Sequence, residues 1–215
     1  NTAYDLLINS DVSAVYGSYQ FYDNKAEISG KGIELSTRVK AIDTHDFSFI
    51  LAANASFISN EVKKLGDSER MLISYTGYND DDAQMLLKVG EKPYEFYGYE
   101  TRGIYPTSAA AMQSGLVNRN GLAYQAGDVI FVDQNGDGII NDADKVSLGS
   151  ARPTVFGGLN LELRYKNVTL DANFAYSVGN KAYNAVRREM ESMDKFYNQS
   201  TAVLNRWQVE GQLTT

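Results

Sequence analysis

The stretch from Asp133 to Asp144 is the part of this sequence in which residue types and spacing most directly suggest chemistry. It reads Asp133-Gln134-Asn135-Gly136-Asp137-Gly138-Ile139-Ile140-Asn141-Asp142-Ala143-Asp144, matching the calcium-loop pattern D-x-[DN]-x-[DN]-G with an acid at the twelfth place. Oxygen ligands from Asp133, Asn135 and Asp137 converge if the chain turns sharply at Gly138. Ile139 then offers its carbonyl and Asp144 closes the shell, a donor set that suits a hard divalent cation, calcium ahead of magnesium. The twelfth residue is Asp rather than Glu, so closure requires a tighter loop. The segment Asp128–Val132 before it reads as a strand, not the leading helix of a paired calcium loop. An Asx-rich turn that binds nothing is the other reading.

Other reactive constellations are missing. There is no cysteine, which removes disulfides and thiolate metal sites, and a single histidine, His45, removes multi-histidine centres. His45 lies in the polar run Asp43–Asp46 and reads as a solvated turn residue. No G-x-S-x-G elbow is present, Gly149-Ser150 lacking its pattern, and no Walker or dinucleotide glycine pattern occurs. No pair of carboxylates is singled out for glycoside chemistry. The expectation is that the protein is not an enzyme. A net charge of -7 argues against a nucleic-acid surface, which needs clustered Lys and Arg. The run Asn79-Asp80-Asp81-Asp82 reads as a solvated loop tip. Tyr75, Tyr78, Tyr94, Phe96, Tyr97, Tyr99 and Tyr105 could stack on sugar rings, although packing within the loop is the better reading for most of them.

The elements that must carry these residues alternate with period two. From Gly32 to Ile42 one face reads Ile33, Leu35, Thr37, Val39, Ala41 and the other Glu34, Ser36, Arg38, Lys40. Phe47, Phe49, Leu51, Ala53, Ala55, Phe57 follow on a second strand, making a hairpin with one apolar face. Val155, Gly157, Leu159, Leu161, Leu163, Tyr165 and then Val168, Leu170, Ala172, Phe174, Tyr176, Val178 form another hairpin around Lys166-Asn167. The expected strands are 32–42, 46–58, 154–165 and 168–178, each about the 9–11 residues that a tilted strand needs to cross a bilayer. The turns within hairpins are short, whereas 59–153 and 179–215 read as long loops, the asymmetry of outer-membrane barrels. Phe47, Phe57, Phe156, Tyr165 and Tyr176 near the strand ends fit interfacial girdles. A further strand is expected over Tyr4–Ile8 with a loop to about Ser29, and a surface helix over Lys181–Asp194. No apolar run is long enough for a transmembrane helix. The first residues lack the basic start and apolar core of a signal peptide, so the expectation is a processed chain or an internal piece.

Several stretches together resemble the SusC/RagA-like TonB-dependent transporters of Bacteroidota outer membranes. Asn24 and Ile28–Leu35 look like the strand entry N-G-x-G-[IV]-E-L, and Asn60–Leu65 looks like N-x-V-x-x-L. Gly90–Tyr94, Phe96–Tyr99 and Gly103–Tyr105 resemble G-x-P, F-x-G-Y and G-I-[YF]. Gly127–Val129 with Asp133–Asp144, then Gly149–Pro153, then Leu204–Trp207 (x-N-R-W) follow in the family's order. The resemblance covers nearly the whole chain. It implies an all-β fold: an antiparallel transmembrane β-barrel segment, from the C-terminal third of a barrel of about 22 strands, with long extracellular loops. It also implies import of glycans or peptides with a SusD-like lipoprotein as lid, energy from the TonB complex through an N-terminal part lying outside this sequence, and contact with outer-membrane lipid. The competing reading is a soluble extracellular calcium-binding β-sandwich that binds glycan.

Overall fold

The computed structural model describes residues 1–11, 20–74, 84–194 and 196–214. Tyr75, Tyr78 and Asn79–Asp82 lie outside the described residues. In chain order the strands are β1 (Thr2–Asp11), β2 (Gln20–Asp43), β3 (Phe47–Leu65), β4 (Arg70–Ser74), β5 (Gln84–Lys88), β6 (Glu95–Tyr99), β7 (Thr101–Ile104), β8 (Val117–Asn118), β9 (Val129–Phe131), β10 (Ile139–Ile140), β11 (Lys145–Ser150), β12 (Val155–Tyr165) and β13 (Val168–Val178). Two short helices, α1 (Ser108–Ser114) and α2 (Ala185–Glu191), complete the main elements. No helix among the described residues is long and apolar enough to cross a membrane.

The chain divides into two compact units, Asn1–Phe96 with Gly149–Lys181, and Tyr97–Leu148 with Ala182–Thr215. The first is organised by an antiparallel sheet in the order β1-β2-β3-β12-β13. From the Ile33 row to the Val39 row its register aligns the alternating faces across four strands, and the β2–β3 pairing shifts by one residue only between Lys40 and Ile42, near the short turn. Leu35 faces Ala55, Ala55 faces Gly157, and Gly157 faces Tyr176. The next rows are Thr37, Ala53, Leu159, Phe174 and then Val39, Leu51, Leu161, Ala172. Because a one-residue slip would move every side chain to the other face, this match explains why both hairpins share one register. The opposite face is polar: Arg38, Asn160 and Asn173 lie in neighbouring register, Asn160 donates to Asn173 at 2.7 Å, and Arg38 approaches Glu162 at 3.5 Å. At the short-turn end the Lys166 N–H donates to the Asp46 carbonyl at 2.7 Å, so the two hairpin turns are bonded to each other.

The apolar face is open. Leu35 is 61% and Leu170 63% exposed. What is buried sits at the other end of the sheet, where Ile8, Ala26, Val62, Leu65 and Leu87 form the core, with Leu6, Met71, Ile73 and Tyr94 packed against them. The antiparallel β4–β5 hairpin, registered from Arg70 opposite Lys88 to Ser74 opposite Gln84, supplies part of that cover.

Several expected boundaries are corrected. β2 starts at Gln20 rather than near 32, and β3 runs on to Leu65. The alternation used to find the strands fades above Gly32 because side chains there face protein and water instead of one apolar medium. The expected loop up to Ser29 is strand except for residues outside the description, and among the described residues 59–153 contains the end of β3 and the strands β4 to β11. Phe156 pairs with Ser56 and Ser177, which places it on the polar face and out of any girdle. The helix expected over Lys181–Asp194 is confined to Ala185–Glu191, capped by the Asn184 side chain and held by an Arg187–Glu191 pair at 2.9 Å.

Candidate functional site

The Asp133–Asp144 loop is built by its own carboxylates. Gly136 and Gly138 N–H groups donate to the two Asp133 oxygens at 2.7 and 2.9 Å. Glycine is required at both places, since φ is +75° and +80°. The backbone bond from Gly138 foremost, with that from Gly136, holds the Asp133 carboxyl below its ordinary value of 3.8. Asp144 is fully buried and accepts from Gln134 N–H at 2.9 Å and Asn141 N–H at 2.8 Å. Asn141 in turn caps the short 3-10 turn Asp142–Asp144. Beside it, the Lys145 ammonium at 2.8 Å holds the Asp142 carboxyl below its usual range.

Of the five residues expected to ligate a metal, the structure brings Asp133 and Asp144 side by side. The other three are turned to local partners. Asn135 accepts from Asp137 N–H at 3.0 Å and donates to the Asp137 carboxylate at 2.9 Å, and the Ile139 carbonyl takes the Asn141 amide at 3.1 Å. Among the described residues, no three His, Asp or Glu side chains gather closely enough to hold a metal. The donor chemistry suits a hard cation, each carboxylate oxygen keeping a second lone pair, but the shell is incomplete as it stands.

The same unit has an aromatic interior. Tyr99 meets Phe131 edge-on at 5.3 Å, Phe131 meets Tyr124 at 6.0 Å, and Tyr124 meets Tyr105 at 6.1 Å. Burial pushes the Tyr99 and Tyr124 hydroxyls up. Tyr105 is buried and Phe96 nearly so, which agrees with packing rather than sugar stacking for these two. A contact that the sequence does not announce closes the unit: the Trp207 ring lies so near Gly127 that a Cβ there would be 2.7 Å from it. The indole N–H of Trp207 donates to the Pro106 carbonyl at 3.3 Å, and Gly211 N–H donates to the same carbonyl at 2.8 Å.

The quoted motif stretches meet one another in space. In the first unit Val62 N–H donates to the Glu91 carbonyl and Gly90 N–H to the Val62 carbonyl, at 2.9 and 2.8 Å. Ala151 N–H donates to the Tyr94 carbonyl at 3.2 Å, and the Arg152 guanidinium sits 5.2 Å from the Tyr94 ring. These residues hold the architecture rather than a reaction centre.

No family model matches the chain. TonB-dependent receptor P3 of Formosa agariphila is 30% identical over 204 residues, 94% of this chain and 20% of that protein. This chain belongs to the TonB-dependent receptors. A second relative is SusC of Bacteroides thetaiotaomicron, 26% identical over 184 residues, 83% of this chain and 17% of that receptor. The receptor chain also superimposes on the RagAB peptide importer in its open-open state with a TM-score of 0.75, at 22% identity and over 99% of this chain and 22% of that one. The SusC/RagA-like assignment is borne out, and with it the outer membrane of a Gram-negative bacterium as location. The chain spans about a fifth of the length of the curated relatives it matches. Those relatives are receptors and transporters rather than enzymes.

Proposed function

We propose that this chain supplies part of the wall and outer loops of a 22-stranded importer, of about the strand number common to plugged transporters. The importer takes up glycans, with peptides as the other cargo class, and works with a SusD-like surface lipoprotein and the TonB complex. The observation that carries this reading is the four-strand apolar face, in register from the Ile33 row to the Val39 row and open, on a chain whose relatives are TonB-dependent receptors. Leu35, Leu170 and Phe174 on that face are 61%, 63% and 56% exposed, as lipid-facing side chains of a barrel wall would be. The test places a fluorophore at Leu170 of the intact receptor in vesicles containing brominated lipid. Quenching is expected, and an unquenched probe would return the sandwich to the lead. Cargo is then read by comparing uptake of labelled oligosaccharides and oligopeptides in cells with and without the receptor. Co-purification of a lipoprotein with the receptor tests the lid.

The same reading gives the Asp133–Asp144 loop a structural calcium ion, held by Asp133, Asn135, Asp137, the Ile139 carbonyl and Asp144 after the Asn135 and Asp137 side chains turn inward. Its support is the donor set and the buried Asp144 carboxylate beside Asp133. The ion would order the loop; no chemistry passes through it. Chelation should raise protease sensitivity of this loop and leave the wall intact. Equal cleavage with and without chelator counts against the ion.

A further inference from the structure

The open apolar face is not flat. Between Leu35, Leu159 and Tyr176 the sheet dips over Thr37, Ala53 and Ala55, leaving a groove of about 420 Å³. The dip follows from residue size, since the three floor positions are small while Leu35, Val39, Leu51, Leu159 and Tyr176 around them on the same face are large. Tyr176 forms one border because it lies over Gly157, where a Cβ would come within 2.6 Å of its hydroxyl, and that hydroxyl donates to the Asn54 carbonyl at 3.1 Å. The tyrosine is thereby bonded to the backbone two strands away and cannot swing in to fill the space.

Two further features say what the groove meets. It lies within the apolar band of an outer-membrane protein, toward the strand ends that lead into the long segment, the extracellular side of such barrels. On the same face, four residues before Leu35 and about 13 Å along the strand, stands Lys31, exposed and without an ion-pair partner among the described residues. A lysine there can lay its stem along the apolar surface and hold its ammonium at headgroup level. We propose that the groove seats an acyl chain of lipopolysaccharide from the outer leaflet, with Lys31 against a phosphate of the same molecule. This inference rests on the barrel-wall reading above.

The experiment uses the intact purified receptor in detergent, incubated separately with lipopolysaccharide and with phosphatidylethanolamine, and counts bound lipid by native mass spectrometry. Wild type should retain lipopolysaccharide. Filling the groove with Ala53→Leu and Ala55→Leu together should lower its occupancy about tenfold or more, and Lys31→Gln about fivefold. Ala172→Leu, on the same face but outside the groove, should leave occupancy unchanged. Equal retention by the filled variant, or equal retention of the phospholipid, overturns the proposal. A fluorophore at Phe174 in brominated vesicles separates the two readings. If it is quenched while the filled variant still binds, only the groove is wrong; if it is unquenched, the wall reading falls and the groove with it.

Discussion

The two halves of strand β3 obey opposite rules. From Phe47 to Phe57 its large side chains stand on an open face, Phe57 being 45% exposed, while Val62 and Leu65 further along are 0% and 1% exposed. Composition does not distinguish the halves; what covers them does. The lower half leaves its apolar side chains open, which on the barrel-wall reading is to lipid, so that its stability rests on the ladder and its register. The upper half buries its side chains in protein, against β1, β2 and the β4–β5 hairpin, as a water-soluble domain does. On the barrel-wall reading, a single strand thus passes from one solvent problem to the other, and the bilayer would end between Phe57 and Val62.

Leu65→Ala is the largest single break available in the upper half, expected to cost about 2–5 kcal/mol by opening a cavity. Hydrogen exchange should show the loss in β3 and β5, while Leu170→Ala in the wall produces a far smaller change. The sign reverses for charge. Leu161→Arg in the middle of the wall should cost about 2–4 kcal/mol in a bilayer, seen as a lowered unfolding midpoint of the vesicle-embedded receptor, and an equal midpoint would deny that this face meets lipid. Gly157→Ala should cost about 1–3 kcal/mol by overpacking, since its Cβ would stand 2.1 Å from the Asn54 carbonyl oxygen and displace Tyr176. Tyr176→Phe, which removes only the hydroxyl bond, should cost about 0.5–1.5 kcal/mol. The smallest effect is on pH. Asp133 has a folded value depressed below 3.8, so its contribution is complete above that value and is lost as pH falls through the lower folded one. Acid should therefore open the Asp133–Asp144 loop to exchange while neutral and mildly acidic conditions leave it closed.

The lower part of the sheet was legible because an apolar face and a polar face impose a period of two, and a two-residue turn fixes the β12–β13 register. Above Gly32 that constraint lapses. Gln20–Lys31 carries no alternation, yet it pairs with β1 and β3 as regularly as the rest, apart from shifts beside Ala26 and Ile28. The β4–β5 hairpin went unread for the same reason: Met85, Leu86 and Leu87 are all buried, so the run does not alternate. At the site, the glycines and acids of the calcium-like loop announced the turn. The placement of Asn135 and Asp137 on each other, and of Trp207 on Gly127, could not be read, because these are contacts between side chains whose partners the sequence does not name. Phe156 is even-numbered where the apolar positions of β12 are odd, a parity that already sets it apart from the girdle residues Tyr165 and Phe57.

The unbroken length of β2 has a consequence for reach. Its residues from Gln20 to Gly32 extend about 40 Å of strand past the apolar band, or about 30 Å of height at a tilt of about 40°. On the barrel-wall reading, this stretch, laddered to β1 and from Ala26 onward to β3, makes a collar that stands above the headgroups. Anything arriving from outside would then meet that raised rim before it meets the membrane.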